Sequence, residues 1–333
     1  MDIKTKFLAV LFLLFCLLGG FFSAYVFAAD VPSAWKQEWP KTDFSRSAIA
    51  FGEVISGGPP KDGIPAISNP KFINVAEEQS LGSHEPVIAL EVNGEAKAYP
   101  LRILMWHEIA NDEIAGTPVV VTYCPLCNAS IVFDRRANGK ILTFGVSGKL
   151  RHSDMIMYDR QTESWWQQYT GEGIVGDMLG VALARIPSRV MPFGLFKQSY
   201  SNGKVLIATD AHLRRYGENP YVKYDSATNP FLYLGRYDGP GQPLSYVVAV
   251  GDKAWFLSDL RKDGLIVHDD LYIRWQEGMN SALDTADIRQ GRDIGFVTVQ
   301  RKSGRDYQDV PYDVTFAFAF KAFHPDGIIY ERE

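Results

Sequence analysis

The sequence predicts a mostly β protein with a few short helices, organised as two related β-rich lobes. Two observations lead to this prediction: apolar runs of β type that are separated by turn residues, and a weak internal repeat that suggests duplication. The length of 333 residues suffices for one large domain or two smaller ones, and the composition is that of a globular protein. The predicted parts are a signal peptide or anchor, an irregular segment, a first lobe, an ordered connector and a second lobe: residues 1–29, 30–85, 86–195, 196–242 and 243–333.

The N-terminus is typical of an exported protein. Lys4 and Lys6 precede an apolar stretch from Phe7 to Leu18, and small residues at Ala28 and Ala29 offer a cleavage site. We expect either a cleaved signal peptide or an uncleaved anchor made of residues 7–29, which is long enough to span a bilayer. Either alternative places the folded part outside the cytoplasm, periplasmic or secreted, and limits membrane contact to this segment.

The first lobe begins with the clearest β pattern of the chain. Val87 to Val92, the turn Asn93-Gly94 and Glu95 to Tyr99 predict a hairpin. Apolar residues at helical spacing from Leu101 to Ile109 then predict a short helix that carries Trp106-His107-Glu108.

Two further strands are predicted on either side of a cysteine pair. Val119 to Tyr123 has the pattern of a buried strand, and Ala129 to Asp134 resumes as a strand. Cys124 and Cys127 therefore lie in a turn between two strands. A thioredoxin-like motif would instead open a helix, whose dipole lowers the pKa of the thiol.

The second lobe repeats the first weakly. Leu142 to Asp154 and Val314 to Asp326 share Thr-Phe, Lys, His and Asp at identical spacing, which makes His152 and His324 equivalent. Lys97-Ala98-Tyr99 resembles Lys253-Ala254-Trp255, and Arg136 with Gly139 resembles Arg301 with Gly304. In this alignment the two cysteines match arginines, so only one lobe would carry thiols.

Several motifs resemble an exported prokaryotic family, the domain of unknown function 3179. They are Trp106-His107-Glu108, Tyr123 to Cys127, Phe144 to Leu150, Thr162 to Gln168 and Ala322 to Asp326. The resemblance covers about residues 80–330 and implies a signal-bearing protein without assigning catalytic residues. In that family the residue after the second cysteine is usually Gly and the position of His152 is usually Asn. Asn128 can adopt the left-handed conformation that Gly would take.

The cysteine pair predicts a local chemical site. Cys16 lies in the targeting segment, so the exported part retains two cysteines, which cannot join distant loops. The strand–turn–strand placement resembles a metal-binding knuckle, and a tetrahedral site then needs histidine or carboxylate ligands as well. His107 and His324 are the first candidates to complete a site with Cys124 and Cys127, and such a set suits Zn or Cu.

Two alternatives stand beside metal binding. Cys124 and Cys127 can form a redox couple, which would make the protein a thiol–disulfide oxidoreductase. They can also form a structural disulfide in a non-catalytic ligand-binding or scaffold protein. The net charge of -5 and the lack of a basic cluster exclude a nucleic-acid partner. The sequence leaves open whether the protein is an enzyme and which small ligand or protein partner it has.

Overall fold

The computed structural model describes residues 31–332, which lie in one compact unit. The fold is mostly β with a few short helices, as the sequence predicts. The predicted targeting segment, including Cys16, lies outside the described residues. No helix in the described range is both long and apolar enough to cross a membrane.

Helices are short and most of them directly follow a strand. Four of the five α-helices in the described range have seven residues, so packing rather than helix propensity stabilises them. The helices are α1 (Ser33–Glu38), α2 (Leu101–His107), α3 (Phe193–Ser199), α4 (Leu257–Asp263) and α5 (Ala317–Phe323).

The strands form one two-stranded ribbon and five larger sheets of three to five strands. The first thirteen strands are β1 (Val54–Ser56), β2 (Lys71–Asn74), β3 (Pro86–Val92), β4 (Glu95–Pro100), β5 (Ile109–Ile114), β6 (Thr117–Cys124), β7 (Ala129–Asp134), β8 (Arg136–Ala137), β9 (Lys140–Ile141), β10 (Phe144–Arg151), β11 (Asp154–Asp159), β12 (Trp165–Gln167) and β13 (Glu172–Val175). The others are β14 (Arg189–Pro192), β15 (Lys204–Ile207), β16 (Tyr246–Val250), β17 (Lys253–Phe256), β18 (Leu265–His268), β19 (Leu271–Gln276), β20 (Phe296–Ser303), β21 (Asp306–Asp309), β22 (Asp313–Phe316) and β23 (Ile328–Tyr330).

The two lobes repeat the same order of elements. In the first lobe the hairpin β3–β4 is followed by α2 and the three-stranded sheet β5–β6–β7; in the second, β16–β17 is followed by α4 and β18–β19–β20. Each hairpin is then extended by a strand–helix–strand unit, β14–α3–β15 or β22–α5–β23. In both units the first strand pairs antiparallel and the last strand pairs parallel to the hairpin. This shared topology supports the predicted relation between the lobes.

One part of the predicted repeat is wrong. Phe144 opens an eight-residue strand, β10, whereas Phe316 ends a four-residue strand that leads into α5. The topological counterpart of β22 is β14, so His152 in a hairpin turn and His324 at the end of a helix are not equivalent. The match between Lys97-Ala98-Tyr99 and Lys253-Ala254-Trp255 is supported, because both segments lie at the end of the second hairpin strand, just before the helix.

The segments outside the two lobes contribute strands to the sheets. β2 belongs to the segment predicted as irregular, and β15 to the predicted connector; they pair with each other at the edge of the first lobe's hairpin sheet. β1 pairs with β10. Trp165 and Trp166 are fully buried, Trp165 against the aromatic residues of the N-terminal segment and Trp166 in the main core. The apolar area that these elements bury drives their association.

Candidate functional site

The cysteine turn joins β6 to β7, as predicted. Cys124 is the last residue of β6 and pairs with Ala129, the first residue of β7. The four-residue turn closes with a hydrogen bond from the Asn128 N–H to the Pro125 carbonyl, at 3.2 Å. Asn128 has φ of +50°, so the expected left-handed conformation is confirmed at this position.

The second lobe holds this turn in place. Thr315 donates its hydroxyl to the Cys127 carbonyl at 2.7 Å, and the backbone N–H of Phe316 donates to the same oxygen at 3.2 Å. The Asn128 side-chain amide donates to the carbonyl of Val314 at 2.9 Å. Three consecutive residues of β22 therefore fix the position of the thiols, although they lie far away in the sequence.

Asp154 reaches the same place from the hairpin β10–β11. Its two-residue turn consists of His152 and Ser153, which have φ of +54° and +67°, as in a type I′ turn. Asn adopts this conformation more readily than His, which gives a physical reason for the Asn that the resemblance implies at position 152. The turn places the Ser153 carbonyl 3.8 Å from the Cys124 Sγ atom, and Asp154 follows directly.

Cys124, Cys127 and Asp154 form the one group of three or more ligand-type side chains that lies close enough together for a metal ion in the described part of the chain. Their two Sγ atoms and a carboxylate oxygen all lie within 4.8 Å of one another. Both cysteines are free thiols, and all three residues are buried. Among the described residues, neither carboxylate oxygen of Asp154 has a hydrogen-bond partner with good geometry, although the Tyr169 N–H and the Gln167 side chain lie near enough to offset part of the increase in its pKa. An unpartnered buried carboxylate is costly unless it is protonated or bound to a cation.

Glu108 brings a second buried carboxyl group to this cluster. It directly follows α2, has φ of +57°, and its carbonyl accepts the backbone N–H of Tyr123 at 2.8 Å. Burial raises the pKa of Glu108 well above its ordinary value, and the charge of Cys124 raises it further. Glu108 also raises the pKa of Asp154, so the two carboxyl groups are electrostatically coupled.

The two thiols have opposite pKa shifts. Burial raises the pKa of Cys124, but hydrogen bonds from the Cys127 thiol and from backbone N–H groups outweigh it and bring the pKa below its ordinary value. Burial raises the pKa of Cys127 well above the ordinary value, and its hydrogen bond to Cys124 adds to the increase. Cys124 is therefore the first of the two thiols to ionise. Backbone N–H donors stabilise its thiolate, as they do in a metal-binding knuckle.

Among the described residues, no lysine or arginine forms an ion pair with Asp154 or Glu108. Burial and then the Cys124 thiolate raise the pKa of Asp154 well above its ordinary value. The main charge effects on Glu108, Cys127 and Asp154 come from other acidic groups, and no lysine or arginine is among them. The arrangement can therefore hold several protons, or one cation in their place.

The structure does not bring the predicted histidines to the thiols. The Nδ1–H of His107 donates to the Pro65 carbonyl at 2.6 Å, and its Nε2 atom accepts from the Tyr216 hydroxyl at 2.7 Å. His324 directly follows α5, and its ring stacks on Phe320 with the centroids 5.1 Å apart. Neither histidine belongs to the group formed by Cys124, Cys127 and Asp154.

The connector encloses the site. The Tyr224 hydroxyl donates to the carbonyl of Leu126 at 2.9 Å. The Ser153 hydroxyl donates to the carbonyl of Phe231 at 2.6 Å, next to Asp154. Cys124 is consequently only 2% exposed and Cys127 is 0% exposed. A molecule larger than an ion reaches the sulfur atoms only when this segment moves.

The comparisons with known proteins agree with the motifs. The family described as "Protein of unknown function (DUF3179)" matches residues 61–327, more than half of the chain. The chain belongs to this family. A search of the curated proteins gave no significant match, and neither did a search of the solved structures.

Sequence reasoning did not place Asp154 beside the two cysteines. The sequence places it at a strand end, where most aspartates close turns, and its 27-residue separation from Cys127 offers no ligand spacing. The sequence draws attention to Glu108 only as the neighbour of His107. The direction that each of the two side chains takes at the end of α2 depends on the fold. Of these site residues, only the cysteines could be identified from a local sequence pattern.

Proposed function

We propose that this protein binds a transition-metal ion, in the first place Zn²⁺, through the thiolates of Cys124 and Cys127 and the carboxylate of Asp154. The observation that carries the proposal is a buried cluster of thiols and carboxyl groups without a basic partner. Removing an anion from water costs several kcal/mol, and a bound cation offsets this cost.

The donor set favours zinc over copper. Cu(I) prefers soft thiolate, thioether or imidazole ligands, whereas Zn²⁺ accepts two thiolates together with a carboxylate. A tetrahedral zinc site requires donor atoms roughly 3.5–4 Å apart. The ligand atoms here lie within 4.8 Å, so a small inward movement of the side chains is sufficient. Three protein ligands leave a fourth position for water or for the neighbouring Glu108.

Metal analysis of the exported protein, purified under reducing conditions, tests this proposal. We expect about one zinc per chain, and competition with a chromophoric chelator gives the affinity. Asp154→Asn should weaken zinc binding by at least ~10-fold, because a ligand contributes more than the outer-shell groups whose loss costs 10–100-fold. The matched control is Asp159→Asn at the other end of β11, where Thr162 and Trp166 already bind the carboxylate.

Two results would contradict the proposal. One is a reduced, metal-free protein that takes up neither zinc, cobalt nor copper on titration. The other is an equal loss of zinc affinity in Asp154→Asn and Asp159→Asn, which would indicate a general effect of removing a buried carboxylate. His107→Gln should keep its zinc affinity, since both ring nitrogens of His107 are engaged elsewhere.

A second candidate function is thiol–disulfide exchange, which the asymmetry of the two thiols favours. The Cys124 thiolate would attack a partner disulfide and release one partner thiol, and Cys127 would then displace the second as the Cys124–Cys127 disulfide forms. Measurement of the reduction potential distinguishes the functions. A potential well below about -300 mV would mark a structural bridge, and a higher one an active couple. Bound zinc should protect both thiols from alkylation.

A further inference from the structure

A cleft of about 530 Å³ is lined in part by residues of α2, and neither cysteine belongs to its lining. Its walls come from the start of α2, the end of β15 and the connector at residues 211–216. Apolar side chains form part of the lining, as in most sites for small organic molecules. The polar residues of the lining are Glu78, Ser80, Arg102, Arg214, Arg215 and Tyr216.

The acidic residue of the lining is already engaged. One carboxylate oxygen of Glu78 accepts the backbone N–H and the hydroxyl of Ser80 at 2.5 and 2.6 Å, and the backbone N–H of Leu81 at 3.0 Å. Three donors within its own loop orient this carboxylate, which is only 7% exposed. These contacts hold Glu78 in its own loop, and among the described residues it forms no ion pair with an arginine of the lining.

Arg214 supplies an uncompensated positive charge. Within the described range it forms no ion pair, and its single hydrogen bond is a long one of 3.4 Å to the carbonyl of Leu213. Arg215 forms an exposed pair with Glu218 at 3.4 Å, and such pairs have little strength. Arg102 is different, because its Nε atom lies 2.8 Å from the buried Glu85 and the pair fixes the guanidinium in the wall.

Tyr216 is held rigidly beside these arginines. Its ring stacks on His107, with centroids 5.7 Å apart and an angle of 18° between the planes. The Nδ1–H of His107 donates a hydrogen bond to the Pro65 carbonyl. The Nε2 atom of the neutral ring is therefore free to accept a hydrogen bond from the Tyr216 hydroxyl. This contact gives His107 a role away from the thiols and keeps one wall of the cleft in place before any ligand arrives.

We infer that this cleft binds a small organic anion, with a carboxylate or phosphate group against Arg214 and Arg215 and an apolar body against the apolar wall. Guanidinium groups are suited to both oxyanions, because they donate two parallel hydrogen bonds. The apolar part of the lining includes Ile103, Leu206, Ile207 and Ala208. The cleft lies within the volume range of small-molecule sites, about 300–1,000 Å³.

Titration of the exported protein with hexyl phosphate and hexanoate, followed by calorimetry, tests this inference. We expect saturable binding of at least one of them at a single site, and the stronger ligand identifies the preferred oxyanion. Hexylammonium, which has the same tail and the opposite charge, should not bind. Inorganic phosphate should bind more weakly than hexyl phosphate, because it leaves the apolar wall uncovered.

Two variants separate charge from shape. Arg214→Gln should weaken binding about 10-fold, the equivalent of about 1.4 kcal/mol, because it removes one charge-assisted contact. Ala208→Trp fills the cleft without changing its charge and should abolish binding. The control is Arg305→Gln in the exposed β20–β21 turn, which should leave affinity unchanged.

The inference is overturned by any of three results: no saturable binding up to about 10 mM of either anion, equal losses in Arg214→Gln and Arg305→Gln, or unchanged binding in Ala208→Trp. The last two would indicate attraction to surface charge rather than a site. Each variant is first compared with the parent protein by circular dichroism, and the partly exposed Arg214 is not needed for packing.

Discussion

Replacing Asn128 by alanine or glycine tests how the cysteine turn is held. Asn128 has φ of +50° and donates its side-chain amide to the Val314 carbonyl at 2.9 Å. Alanine loses this hydrogen bond, worth about 1 kcal/mol, and keeps a Cβ atom in a left-handed conformation, which costs about 1 kcal/mol more. Glycine loses the hydrogen bond but adopts the conformation freely. We therefore expect losses of about 2 kcal/mol for alanine and about 1 kcal/mol for glycine.

Urea unfolding of the reduced, metal-free protein, followed by tryptophan fluorescence, measures these losses. A decrease of about 2 kcal/mol should lower Tm by about 3 °C in a protein of this size. Ala115→Gly is the matched control, because Ala115 is exposed, has φ of +46° and makes no side-chain hydrogen bond. It should stabilise the protein by up to about 1 kcal/mol. Equal unfolding free energies for the alanine and glycine variants at position 128 would refute the reasoning about left-handed strain.

Three further predictions concern other contacts. Thr315→Val removes the 2.7 Å hydrogen bond to the carbonyl of the second cysteine and should cost about 1 kcal/mol in urea unfolding; an unchanged midpoint would contradict this. Lys97→Met leaves the Asp112 carboxylate buried without its ammonium partner at 2.9 Å and should cost about 3 kcal/mol. Adding Asp112→Asn should recover part of that loss, and a further loss instead would argue against the pairing. Burial raises the pKa of Asp62, but hydrogen bonds from Arg160 and a neighbouring tyrosine lower it more, so the net shift is downward. The stabilisation by Asp62 is therefore present at neutral pH and is lost as the pH falls through the lowered pKa, below about 4. Thermal unfolding between about pH 3 and 6 should show a shallower acid decline for Asp62→Asn than for the parent protein.

Local patterns predicted the strands around the thiols well. Alternating apolar residues and the Asn93-Gly94 turn give the hairpin β3–β4 within one residue at each end. The short helix and the strands on both sides of the cysteine turn were also expected, because their signals lie within a few residues. The prediction placed Glu108 within the helix, whereas the helix ends at His107 and Glu108 follows it. The turn placement alone separated this site from a thioredoxin-like motif, in which a helix follows the cysteines.

Long-range matches were less reliable than local ones. The spacing shared by Leu142–Asp154 and Val314–Asp326 led to an incorrect match. It aligned a long strand with a segment that forms a strand and a helix. A match of a few residue types does not distinguish the two, because each element is decided by what it packs against. The true counterparts, β14 and β22, share their position beside the hairpins and little visible sequence.

The sequence by itself determined the mostly β class, the two lobes and the placement of Cys124 and Cys127 between two strands. Only the tertiary structure decided that Asp154 lies beside the cysteines, that Glu108 is electrostatically coupled to them, and that His107 instead binds Pro65 and Tyr216. The physical reason is that strand order and the handedness of a single residue such as Glu108 set which side chains meet. A cysteine turn is visible in four residues, whereas its buried carboxylates become neighbours only when the hairpins pack together.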